Sequence, residues 1–116
     1  MQINNIGYHH FHDADFKIER PNGSGDYLLL LLETPAVFTL RGEEVSAESN
    51  SFILYKKGTP QLYRVDGQKF SNHWIHFDMS GEDLCYLEKL EIPFDQVIFI
   101  GDMNDLSLFV KNMCFE

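Results

Sequence analysis

Apolar and polar positions in this chain follow two different periods, and the change comes near residue 78. Up to there the apolar residues fall in short runs separated by turn-forming residues. Phe16, Ile18 and Arg20 alternate with polar neighbours and predict a first strand. Pro21 to Asp26 (PNGSGD) reads as a loop by composition. Tyr27 to Leu32 is apolar at every position, which suits a strand covered on both faces. Further strands are expected at Val37 to Leu40, Val45 to Ala47, Phe52 to Tyr55, Leu62 to Val65 and Asn72 to Phe77. Arg41 to Glu44 supplies a hairpin turn around Gly42, Lys56 to Pro60 a loop, and Asp66-Gly67 a second hairpin signal. Short strands at this spacing predict an antiparallel sandwich or barrel.

After Asp78 the period lengthens. Ser80 followed by Asp83 has the form of a capping box, and Leu84, Leu87 and Leu90 recur every third residue, so 81–90 is expected to be helical. Pro93 ends that element. Val97 to Ile100 predicts a short strand. Leu106, Phe109, Val110 and Met113 form an amphipathic stripe that is still running at Glu116, as expected for a piece of a longer protein. Residues 1–15 are polar and histidine-rich and read as an arm ahead of the barrel.

Composition narrows the function classes. With 116 residues, one domain is expected, and the 44% hydrophobic share is enough for one core. Ten Phe, five Tyr and one Trp suit pleated surfaces and pocket linings. The formal charge of −9 argues against this piece gripping a phosphate backbone or an anionic membrane. The two cysteines, Cys85 and Cys114, have no metal-binding spacing and read as small apolar residues in a reducing cytosol. No signal peptide is expected, since no basic stretch followed by an apolar run stands near Met1, and the Leu28 to Leu32 run is too short to span a bilayer. A cytoplasmic protein is expected.

Catalytic motifs are sparse. His9, His10 and His12 are a dense cluster, and His10-x-His12 matches a metal-ligand pair along a strand, which makes them weak candidates for a metal. The glutamate of a cupin metal motif does not follow them, and Gln61 and Leu62 stand where a second histidine is needed. There is no GxSxG, P-loop or supported Cys/His pair. The expectation is a non-enzymatic protein with no cofactor and no metal.

Four segments in order give the chain a resemblance: Glu19-Arg20-Pro21 with the glycine-containing loop and DYLLLLL; Phe52 to Tyr55 with GTPQLY; Trp74-Ile75-His76-Phe77; and the switch to helical periodicity. Over residues 16–116 the chain resembles the N-terminal sensor domain of AraC-family transcriptional regulators. The resemblance implies a mostly β fold, a cupin-like double-stranded β-helix (jelly roll) followed by C-terminal α-helices. It divides the chain into an arm (1–15), a ligand-sensing barrel (16–79) and a helical dimerisation region (80–116) with a short strand near 96–100. The helix-turn-helix units that bind DNA in such regulators are absent from this chain. Three places depart from the family pattern. Ser49-Asn50-Ser51 replaces Pro-Gly-Asp, with Asn50 able to take the glycine's turn. Lys56-Lys57 replaces a Pro-Pro pair, and Gln61 stands where histidine is common.

Alternation puts Asn72, Trp74 and His76 on one face of the last strand and His73, Ile75 and Phe77 on the other. By the resemblance, Trp74 stacks on a sugar ring, and Arg20 and Tyr63 occupy ligand-facing positions. Asn72 and His76 complete the expected ligand-binding set with hydrogen-bonding groups. Each has a structural alternative: Trp74 as core, Arg20 in an ion pair with an acid such as Glu33, His76 as a satisfied structural histidine.

The expected function is effector sensing and dimerisation. A small polar effector, a carbohydrate, binds in the barrel of a homodimer and acts on a DNA-binding domain elsewhere, with the arm folding over the pocket in one state. The competing readings are a metal-dependent cupin enzyme of isomerase or dioxygenase type and a ligand-free association module.

Overall fold

The computed structural model describes residues 1–13, 15–65 and 67–100, with residues 9–12 described in their backbone only. In chain order the elements are β1 (Gln2–His12), β2 (Lys17–Arg20), β3 (Tyr27–Leu32), β4 (Ala36–Leu40), β5 (Glu43–Ala47), β6 (Ser51–Tyr55), β7 (Gln61–Arg64), β8 (Phe70–Asp78), α1 (Gly81–Lys89) and β9 (Val97–Phe99). Among the described residues the strands make two antiparallel sheets, ordered β1-β8-β3-β6-β9 and β2-β7-β4-β5. The expected mostly β architecture is present, with one short helix among the described residues. The amphipathic stripe at Leu106 to Met113 lies outside the described residues.

The continuous apolar run of β3 has its cause in two cores. Leu28, Leu30 and Leu32 point between the sheets, where they meet Ile53, Tyr55 and Phe70 of their own sheet and Ala36, Phe38 and Tyr63 of the other. Tyr27 and Leu31 point the opposite way, onto a second cluster with Ile75, Phe77 and Leu54. Leu84 and Leu87 of α1, together with Ile92 and Phe94, cover that cluster. β3 is therefore covered on both faces, and a polar residue at any of these positions would be buried without a partner.

Local turn chemistry follows the residues. Arg41 and Gly42, with φ of 53° and 79°, make the two-residue mirror-image turn whose twist suits the β4–β5 hairpin. Asn50 takes φ 65° at the position where the sequence put the glycine's turn. Ser80 caps α1: its Oγ accepts from the Asp83 backbone N–H, and the Asp83 carboxylate accepts from the Ser80 N–H. α1 ends at Leu90, which is exposed, followed by Glu91 at φ 57° ahead of Pro93.

Two sequence expectations need correction. Within residues 1–15, read as an arm ahead of the barrel, residues 2–12 form β1, paired antiparallel with β8 from Gln2↔Asp78 to His12↔Phe70. Its polar side chains hid it, because an edge strand with exposed positions lacks apolar alternation. Asp66 of the expected Asp66-Gly67 hairpin lies outside the described residues, but the flanking strands β7 and β8 belong to different sheets and do not pair with each other. Gly67 has φ 72°.

Candidate functional site

Between the sheets lies a cleft of about 210 Å³. Its apolar lining is Phe16, Ile18, Leu28, Leu30 and Trp74; its polar lining is Asn5, Arg20, Tyr63, Asn72 and His76. All five residues expected from the sequence to contact ligand thus border one space. They come from three strands in two sheets: Arg20 on β2, Tyr63 on β7, and Asn72, Trp74 and His76 on β8.

Backbone register explains the convergence. On one wall Trp74 sits between Gly7 of β1 and Leu30 of β3, and His76 between Asn5 and Leu28. Alternation turns Asn72, Trp74 and His76 inward together. On the other wall Ile18 pairs with Tyr63 and Arg20 with Gln61. Trp74 is half-buried and meets the His76 ring edge-on, centroids 5.5 Å apart.

Each polar group has a distinct state. Arg20 donates from Nη1 to Gln61 Oε1 at 3.0 Å. The alternative pairing with Glu33 does not form: the Glu33 carboxylate accepts from Ser71 Oγ at 2.7 Å and stands 3.7 Å from His73 Nε2. Gln61 donates onward to Ser24 Oγ at 3.1 Å, and Ser24 Oγ donates to Asp26 Oδ1 at 2.7 Å. Asp26 Oδ1 also meets His76 Nδ1 at 2.9 Å, so Arg20 and His76 are the two ends of one polar chain behind the cleft.

Burial disfavours the Asp26 carboxylate, but hydrogen bonds from Ser24, His76 and Asn4 outweigh it and hold its pKa below the usual value. Burial pushes the Tyr63 phenol up to about 12 against the opposing pull of Arg20, so it is a neutral hydroxyl at pH 7. Asn72 is 2% exposed, and among the described residues its Oδ1 has no hydrogen-bond partner. A buried, orphaned acceptor lining a cavity is an exception to the rule that buried polar groups are paired.

The arrangement can hold a small molecule with an apolar face against Trp74 and polar groups toward Arg20, Tyr63 and Asn72. The sequence reading missed Phe16 and Ile18, although their alternation with Arg20 was a usable signal, and Leu28 and Leu30, which share the inward parity of β3. It missed Asn5 because β1 was read as an arm. His10 and His12 fall opposite Asn72 and Phe70 in the backbone register, and their side chains lie outside the description. Among the described residues no three His, Cys, Asp or Glu side chains converge as a metal site, and no helix is long and apolar enough to cross a membrane.

No protein-family model matches this sequence, and no curated protein matches it. Solved structures do. One is ToxT from Vibrio cholerae O395 bound to (E)-4-(8-methylnaphthalen-1-yl)but-3-enoic acid, with a TM-score of 0.64 and 14% identity over 99% of this chain and 48% of that one. Another is the 1.65 Å structure of ToxT from Vibrio cholerae, with a TM-score of 0.59 and 13% identity over 97% of this chain and 47% of that one. The chain therefore spans about half the length of these structures. At such identity the likeness shows a shared fold.

Proposed function

We propose that this chain is the effector-sensing domain of an AraC-type transcriptional regulator, and that the cleft between its sheets is the effector site. The observation that carries the reading is Asn72, which lines the cleft with Arg20, Tyr63, Trp74 and His76 and whose buried Oδ1 has no hydrogen-bond partner among the described residues. The likeness to ToxT, an AraC-family regulator crystallised with a small organic acid, supports it. The cleft is smaller than the roughly 300–1,000 Å³ of drug-sized pockets, which favours a single-ring effector. A sugar fits that chemistry, with its C–H face on the Trp74 indole and its hydroxyls on the polar lining.

On this reading the sheets form a cupin-like jelly roll. The chain is cytoplasmic and binds its effector without transforming it. It dimerises through the region from residue 80 onward, and DNA binding belongs to a separate domain. Regulation requires the effector to favour one of two conformations.

The test is a thermal-shift screen of mono- and disaccharides, sugar acids and divalent metals, run in parallel on Trp74→Ala. A ligand at about 100 times its Kd adds roughly 2.7 kcal/mol, a readily measured shift. A shift with a sugar or sugar acid that disappears in Trp74→Ala supports the sensor. A shift with metal alone points to a cupin enzyme, and no shift with any compound points to an association module.

A further inference from the structure

Resting on the sensor reading and extending it, we propose that the effector is a hydroxy acid: a single-ring or similarly small polyhydroxy carboxylate rather than a neutral sugar. Two groups on opposite walls of the cleft set opposite demands. Asn72 Oδ1, buried on the β8 wall with no partner, requires a donor such as a hydroxyl. Arg20, half-buried on the β2 wall, favours an anion. Among the described residues its guanidinium has no carboxylate partner, and one of its five N–H groups is spent on the neutral carbonyl of Gln61.

The nearby acids are committed elsewhere. Asp26 is held by Ser24, His76 and Asn4, Glu33 by Ser71, and the exposed Glu19 lies 2.7 Å from Lys17 Nζ. Tyr63, the other group facing Arg20, is a neutral phenol and cannot balance the charge. A neutral sugar would satisfy Asn72 and leave the guanidinium uncompensated. A plain carboxylate would satisfy Arg20 and leave Asn72 orphaned. One molecule carrying both groups satisfies both walls, and charge-assisted bonds from a guanidinium to a carboxylate are about twice as strong as neutral ones.

The experiment measures the affinity of the protein for galacturonate, glucuronate, gluconate, galactose and cyclohexanecarboxylate, by Trp74 fluorescence and thermal shift, in wild type, Arg20→Gln and Asn72→Leu. At least one hydroxy acid is expected to bind about tenfold or more tighter than galactose. Arg20→Gln should erase that preference, and Asn72→Leu should weaken the hydroxy acids and galactose while sparing cyclohexanecarboxylate. Galactose binding as tightly as the hydroxy acids overturns the inference and leaves the sensor reading standing. Cyclohexanecarboxylate binding as tightly overturns the role given to Asn72. If no hydroxy acid binds at millimolar concentration the inference fails, and the sensor reading fails with it only if the wider screen is silent too.

Discussion

Gly7 and Trp74 stand opposite each other in the β1–β8 ladder, and the indole lies where a side chain at position 7 would have to go. A Cβ built on Gly7 falls 2.5 Å from Trp74 Nε1, far inside van der Waals contact. The glycine is required for space and not for backbone freedom, since it is not among the residues with positive φ. An aromatic that lines the cleft is thus seated against bare backbone.

Gly7→Ala is expected to destabilise the fold and move the indole. Restricting a glycine in a strand would by itself help by roughly 0.5–1 kcal/mol. Overpacking costs about 1–3 kcal/mol and should win. Trp74 is the only tryptophan of the chain, so its emission maximum reports the displacement directly. An unchanged spectrum together with unchanged stability would show that the indole does not rest on Gly7.

Acid should weaken the fold through Asp26. Its carboxylate is held below the ordinary value of 3.8, so folding binds fewer protons there than the unfolded chain does. That contribution is present in full above the ordinary value and is lost as pH falls through the lower, folded one. Asp26→Asn keeps the size and removes the charge, so the stability of the variant should fall less steeply between pH 5 and 2. Parallel denaturation curves at each pH check this, and identical acid slopes for the two proteins would refute it.

Much of the two-sheet fold was legible because its signals are local. The unbroken apolar run of β3, the turn at Asn50 and the Ser80–Asp83 box are each encoded within a few residues. Parity alone grouped Asn72, Trp74 and His76. Strand β1 was not legible, because its pairing with β8 spans most of the chain and its described exposed positions, Ile3 apart, carry polar residues. The Asp66-Gly67 signal, part of which lies outside the described residues, cannot decide which strands pair, and β7 and β8 belong to different sheets. The polar chain behind the cleft joins residues far apart in sequence, with Gln61 lying 41 positions from Arg20 and 37 from Ser24, and no local pattern announces it.

The cap of α1 should be worth a measurable part of the stability. Ser80→Ala removes the hydroxyl that accepts from Asp83 N, at a cost of about 1 kcal/mol. Fraying at this end loosens Leu84 and Leu87 over Tyr27, Leu31, Ile75 and Phe77. The melting temperature should drop by roughly 4 °C or more, and Ser80→Asp, which restores an acceptor, should recover most of it. Equal losses in both variants would place the effect outside the cap.

Asn72 separates stability from binding. Its carbonyl oxygen is buried without a partner, and an unsatisfied buried acceptor costs roughly 1–3 kcal/mol. Leucine has the same branching and the same number of side-chain heavy atoms but no polar atom, so Asn72→Leu should leave the ligand-free protein as stable as wild type or more stable by about 1 kcal/mol. The same change removes the acceptor the effector would use, so the gain in stability should accompany a loss of affinity. Functional sites commonly carry this opposition, in which a group poorly satisfied alone is satisfied by the ligand. Chemical denaturation without ligand decides the first half: a variant weaker than wild type would mean that the amide is already paired in solution, and that the cleft is not waiting for a donor.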